Sequence, residues 1–276
     1  MKLVTWNTQW CCGLDGVVSA QRIVEGARRM ADFDVLCLQE VAQGYTAMPG
    51  APGDQPAELA ALLPGFQLFF GAAVDEFAAD GTRQRFGNLI ATRLPVLQIQ
   101  HHALPWPADA GVPSMPRMCT VLSLLEPQLG ALRVMTTHLE YYSKLQRMAQ
   151  AQALGELHAQ ASALAASPPA SGDAGSPFQA KTHTAQAILC GDFNLEAGSA
   201  EYAAITAGDL HDAWRVLYGA QPQEPTFRLF DRSYGPEPVA CDFVFVSAGL
   251  RPRLRRMAVD GQTRASDHQP VLVELG

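Results

Sequence analysis

The sequence predicts an α/β protein in which a parallel β-α-β crossover leads into a run of short, largely antiparallel strands. Two apolar runs, Leu3 to Trp6 and Phe33 to Leu38, flank a stretch of helical spacing from Ser19 to Met30. Strands joined in this way form a right-handed crossover that brings their carboxyl ends to one edge of a sheet. Short strand-like runs then follow at 66–70, 86–91, 96–100, 118–125 and 132–136, separated by turn residues, as in an antiparallel meander. The polar residues best suited to chemistry stand at the ends of apolar runs, where α/β proteins collect ligands. These are Asn7, Glu40, His138, Asp192, Asn194, Asp267 and His268.

The elements follow in order. In the first helix Ile23, Ala27 and Met30 share one side, and Ser19 is placed to cap the amino terminus. Residues 42–56 are rich in Gly and Pro and read as a loop, with a short helix after them near 57–63. Tyr142 to Ala166 carries a long helical pattern. Residues 167–184, opening with Ser167-Pro168-Pro169, bury too little apolar surface to order themselves. They read as a flexible surface insertion within a single domain spanning 1–276. Ala187 to Cys190 is a buried strand that stops at Gly191, two short helices are expected at 199–205 and 210–217, and 221–238 is a Pro-rich loop. Strands at 241–247, 253–259 and 270–275 close the chain.

With 48% hydrophobic residues in 276, the chain has enough apolar surface for a large core. No stretch approaches the apolar length of a membrane span, no leader-like segment opens the sequence, and the six cysteines are scattered, mostly in apolar runs. A cytoplasmic protein is expected, with no obligate protein partner evident. The net charge of −7 argues against a broad basic face laid along a nucleic-acid backbone, though not against a local phosphate pocket. Arg251, Arg253 and Arg255 alternate along an expected strand and read as a solvated face before a phosphate-tracking stripe. A phosphate-binding loop of the Gly-rich Lys-Ser/Thr kind, a Gly-x-Ser-x-Gly elbow and a His-Glu-x-x-His helix are all absent from the sequence.

Ile188-Leu189-Cys190-Gly191-Asp192-Phe193-Asn194 carries the strongest chemical suggestion. A carboxylate at a strand end accepts a proton from water and an amide nearby donates to an anionic oxygen, although the same residues also make an ordinary Asx turn. Asp267 and His268 offer a carboxylate for a metal and an imidazole for a phosphate. Asp242 opens an apolar strand and needs a buried partner, for which His268 would serve. His138 leaves a strand and could meet a phosphate or a backbone carbonyl. Arg85, Asn88 and Arg117 rank lower as phosphate contacts, with the arginine fork suited to paired bonds.

Seven segments, Thr5-Trp6-Asn7, Leu38-Gln39-Glu40-Val41, Gly87-Asn88-Leu89-Ile90, Thr137-His138-Leu139, Gly191-Asp192-Phe193-Asn194, Asp242 before its strand, and Ser266-Asp267-His268, together resemble the endonuclease/exonuclease/phosphatase superfamily. They run in the family's order from Leu3 to Leu275. The resemblance implies a four-layer sandwich of two mixed, mostly antiparallel β-sheets packed face to face, with helices on both outer sides. It implies Mg²⁺, or Mn²⁺, near Asn7, Glu40 and Asp267, and a water positioned by Asp192 with help from Asn194. His138, and His268 held by Asp242, would then bind the scissile phosphate. The expected activity is a metal-dependent phosphodiesterase acting on a small or lipid-like phosphoester. A DNA or RNA nuclease and a catalytically silent binding module are the alternatives. Members acting on abasic DNA carry a tyrosine where His138 stands, so the Thr-His-Leu form resembles more closely the sphingomyelinase, phosphatase and deadenylase side.

Overall fold

The computed structural model of the protein describes residues 1–179 and 181–276. Its first sheet is built from β1 (Lys2–Asn7), β2 (Val35–Gln43), β3 (Gln67–Phe77), β4 (Arg83–Thr92), β11 (Leu254–Val259) and β12 (Val271–Leu275), in the order β11-β12-β1-β2-β4-β3. Its second contains β5 (Val96–Ala103), β6 (Met118–Glu126), β7 (Gly130–His138), β8 (Ala187–Asp192), β9 (Leu210–Asp212) and β10 (Asp242–Ser247), in the order β5-β6-β7-β8-β10-β9. Each sheet holds one parallel pair at its centre. β1 and β2 are joined through α1 (Ala20–Met30), and β7 and β8 through α3 (Lys144–Ala166). The other pairings are antiparallel.

The layering follows from apolar periodicity. Leu3, Val35, Cys37 and Ile90 of the first sheet pack on Leu122, Val134, Ile188 and Val244 of the second, forming the inner core. The opposite face of the first sheet, with Val4, Leu36 and Leu38, is covered by Ile23, Val24 and Ala27 of α1 and Leu59 of α2 (Gln55–Leu62). The outer face of the second sheet, with Met135, Leu189 and Phe245, is covered by Ala151 and Leu154 of α3 and by Tyr202 and Ile205 of α4 (Ala200–Thr206). The expected four-layer sandwich is therefore what forms. Ser19 caps α1, its hydroxyl accepting from the Arg22 amide, and Ser143 does the same for α3, which starts at Lys144.

Topology brings the polar strand ends together. In the parallel pairs Asn7 lies beside Gln39 and His138 beside Asp192, and antiparallel β10 begins with Asp242 opposite Asp192. Antiparallel β12 starts opposite Thr5, so Asp267 and His268 precede it at the same end of the sandwich. Two backbone devices serve this end. A bulge in β2 sets Gln39 and Glu40 between the paired residues Leu38 and Val41, with Glu40 in the left-handed region at φ 59°. Gly191 has φ 139°, and a Cβ there would fall 2.0 Å from the Thr137 carbonyl oxygen, so glycine is required.

The structure departs from expectation at three places. The helix expected over 210–217 is β9 followed by α5 (Ala213–Tyr218), because Asp212 accepts from the amides of Trp214 and Arg215 and starts the helix anew. Arg251 and Arg253 lie in a 3-10 turn, Ala248–Arg253, that contains Pro252, so the alternating arginine stripe does not form. β3 runs on to Phe77, pairing with a β4 that begins at Arg83. The insertion expected over 167–184 includes residue 180, which lies outside the described residues. The described part of it holds no helix or strand.

Candidate active site

Glu40, Arg117, His138, Asp192, Asn194, Asp267 and His268 line one cleft of about 230 Å³ where the two sheets meet. Asn7 and Asp242 stand directly behind them. Asp192 is buried, its Oδ1 accepting from the Asn194 backbone amide at 2.9 Å and its Oδ2 from Asn7 Nδ2 at 2.9 Å. The Nε2 atoms of His138 and His268 lie 3.4 and 3.6 Å from Asp192 Oδ2. One carboxylate thus stands between two imidazoles, one at the end of β7 and one in the segment before β12.

The imidazoles differ in charge state for identifiable reasons. Burial alone would lower the pKa of His268, but the carboxylates of Asp242 and Asp192 outweigh it and hold the ring well above its ordinary value. His268 Nδ1 donates to Asp242 Oδ2 at 2.9 Å, and the ring stacks on Phe227 at 4.3 Å. Its backbone is fixed as well, with Trp6 Nε1 donating to the His268 carbonyl at 2.9 Å. Burial, joined by the charges of Arg117 and His268, drives His138 well below its ordinary value, so that ring is neutral. Asn194 Nδ2 faces it, donating to His138 Nε2 at 3.1 Å and to the Leu139 carbonyl at 2.9 Å. Asp192 is pushed up to about 6, chiefly by burial and against the pull of His268.

A second acidic group sits beside this trio. Burial, then the neighbouring charge of Asp267, pushes Glu40 up to about 7, and burial likewise raises Asp267. Two half-buried carboxylates crowded together are a donor set for a hard divalent cation, which would relieve their repulsion. Asn7 Nδ2 donates to Glu40 Oε1 at 3.1 Å, while its Oδ1 accepts from the Gln9 amide at 3.1 Å. The amide nitrogen and not the oxygen therefore faces the carboxylates, so direct ligation by Asn7 would require a turn of its amide. Ligand-type atoms of Asp192, Cys241 and His268 also lie within 4.8 Å of one another. Burial raises the Cys241 thiol well above its ordinary value, so both it and the His268 imidazole hold protons, which a metal site would have to displace.

Two of the residues expected at a phosphate lie elsewhere. Asn88 donates through Nδ2 to the Met118 carbonyl at 3.1 Å, tying one sheet to the other. Arg85 lies with its guanidinium 5.6 Å from the centre of the Phe70 ring and donates to Gln43 at the carboxyl end of β2. Neither lines the cleft. Arg117 does, and sequence reasoning missed what holds it. Glu140, with 0% exposure, accepts from Arg117 Nε at 3.1 Å and from the amides of Tyr141 and Tyr142 at 3.0 Å each. Arg117 Nη1 is buried without a partner among the described residues. Also unforeseen are Gln9 and Trp10 at the rim, both left-handed at φ 48° and 43°, and the aromatic residues Tyr141, Tyr142, Phe227 and Tyr234. With Glu40 and Asn194, the latter at φ 50°, four non-glycine residues of the cleft lining share this costly conformation, which folded proteins concentrate at functional sites.

A two-sheet sandwich with acids and imidazoles converging at one end defines the class. The chain belongs to the Endonuclease/Exonuclease/phosphatase family, whose model matches residues 4–268. An endonuclease/exonuclease/phosphatase from Beutenbergia cavernae is 25% identical over 100% of this chain and 72% of its own, with a TM-score of 0.68. A mannosyl-6-phosphatase from Bacteroides thetaiotaomicron is 19% identical, covers 100% of this chain and 99% of its own, and gives a TM-score of 0.70. D. rerio TDP2, complexed with a single-strand DNA product, is 19% identical over 100% of this chain and 98% of its own, with a TM-score of 0.66. No curated protein matches the chain.

Proposed function

We propose that the protein is a divalent-metal-dependent phosphoric ester hydrolase, and within that class a phosphodiesterase. The observation that carries this reading is the convergence in one cleft of Asp192, the His268–Asp242 pair, neutral His138 and the Glu40–Asp267 carboxylate pair. Asp192 orients the attacking water and takes its proton, with Asn7 and Asn194 fixing the carboxylate so that one oxygen faces the phosphate. His268, protonated and held by Asp242, donates to a non-bridging oxygen as negative charge grows there. Arg117, which lines the cleft, offers that phosphate its guanidinium. Glu40 and Asp267 would hold Mg²⁺ or Mn²⁺, which when bound supplies charge neutralisation at the phosphate and the departing oxygen. Water attacks phosphorus in line as its proton passes to Asp192, the phosphorus–oxygen ester bond breaks, the leaving oxygen takes a proton from solvent, and no bond to the enzyme is formed.

Removal of metal provides the first test. Turnover of bis-p-nitrophenyl phosphate is expected to stop with a chelator and return with Mg²⁺ or Mn²⁺. Independently of turnover, saturating Mg²⁺ should raise the melting temperature, since a ligand at 100 times its Kd stabilises the folded state by about 2.7 kcal/mol. That shift should vanish in the Glu40→Gln, Asp267→Asn double variant. Turnover that survives chelation would remove the metal from the reading.

The nuclease alternative draws on the TDP2 neighbour with its DNA product. Against it stands the cleft itself, whose lining among the described residues holds Arg117 as its one Lys or Arg beside three carboxylates, in a chain of net charge −7.

A further inference from the structure

One side of the cleft is an aromatic wall. Tyr141 meets Tyr142 edge-to-face at 4.9 Å and Tyr234 at 6.1 Å, and Phe227 lies 5.9 Å from Tyr234. Its inner end is the Phe227 ring stacked on His268, and its outer end is Tyr142 and Tyr234, 56% and 50% exposed at the mouth. Two basic side chains nearby, Arg147 and Arg228, are engaged in holding this wall, and a third, Lys144, stands exposed on its outer side. Arg147 Nη1 donates to the carbonyls of Glu140 and Tyr141 at 2.9 and 2.8 Å. Arg228 donates to the Tyr234 carbonyl at 3.1 Å and lies 5.7 Å from the centre of the Phe227 ring. Glu140 links the wall to the phosphate anchor, one oxygen taking the amides of Tyr141 and Tyr142 and the other taking Arg117 Nε.

Resting on the phosphodiesterase reading, we propose that this wall is the subsite for an ester group of the substrate, and that it selects a group that is uncharged and flat. Aromatic faces reward flat apolar surface beyond its area alone. An ester group bearing further phosphates would meet Glu40, Asp192 and Asp267 with Arg117 already committed to the scissile phosphate. Glu140 is the positioning residue: a single buried carboxylate sets the separation between the phosphate anchor and the wall.

Non-hydrolysable phosphonates test this by calorimetric titration in Mg²⁺, without need of turnover. Phenylphosphonate is expected to bind roughly tenfold more tightly than methylphosphonate, and 1,4-benzenediphosphonate should lose that gain. Tyr142 is more than half exposed, so Tyr142→Ala leaves the core intact and should reduce the phenyl-to-methyl ratio. Glu140→Gln should reduce the same ratio, and a uniform weakening of both probes would reduce Glu140 to a structural role and overturn that part. Equal affinities for the phenyl and methyl probes in the unaltered protein, or a preference for the doubly charged one, would overturn the subsite. Phenyl preference without hydrolysis of bis-p-nitrophenyl phosphate would remove the hydrolase reading and leave the subsite standing. Hydrolysis without the preference would do the reverse.

Discussion

Asp192→Asn is expected to lower kcat on bis-p-nitrophenyl phosphate by roughly 10³-fold or more, with the fold retained. General-base assistance contributes about 10²- to 10⁴-fold, and the amide removes both the proton acceptor and the negative charge between His138 and His268. Shape is nearly unchanged, and the side-chain oxygen can still accept from the Asn194 amide. The new amide nitrogen, however, faces the Asn7 Nδ2 donor, so the denaturation midpoint should fall modestly while circular dichroism is retained and turnover collapses. If the Asp192→Asn variant kept a rate within about tenfold of the native value, Asp192 would not be the base.

His268→Ala is expected to cost roughly 10²- to 10³-fold in kcat, the range seen when one donor to a developing oxyanion is removed. It also leaves Asp242 buried without its imidazole partner, its Oδ2 keeping only the Cys241 thiol at 3.6 Å and its Oδ1 already lacking a partner among the described residues. Breaking one side of a buried charge pair typically destabilises by about 3–5 kcal/mol. The double variant with Asp242→Asn separates the two effects. It should recover much of the stability and none of the activity, and recovery of both would assign His268 to the scaffold.

Much of the architecture was legible from apolar periodicity and chain order. Leu3 to Trp6 and Phe33 to Leu38 flank a capped helix, and the crossover they predict is the β1-α1-β2 unit. The cleft residues were legible where a polar group follows a buried run directly, as at Glu40, His138 and Asp192. Glu140 was not, because its partners Arg117 and the Tyr141–Tyr142 amides are set by how a loop folds back, and nothing in local spacing reports it. Phe227 was hidden in a Pro-rich loop whose contact with His268 spans 41 residues of chain. Arg85 and Asn88 lie outside the cleft lining for the complementary reason, since residue type suggested a ligand while their strand turned them to Phe70 and Met118. The segment 210–217 misled because Asp212 both ends a strand and starts a helix.

The bulge that places Glu40 implies a trade between robustness and reactivity. An L-residue held left-handed costs of the order of 1–2 kcal/mol, a penalty glycine would escape. Glu40→Gly should consequently yield a hardier protein in urea, with a higher midpoint, that has forfeited its hold on the cation. Tolerance of heat and competence in chemistry would then pull this position in opposite directions.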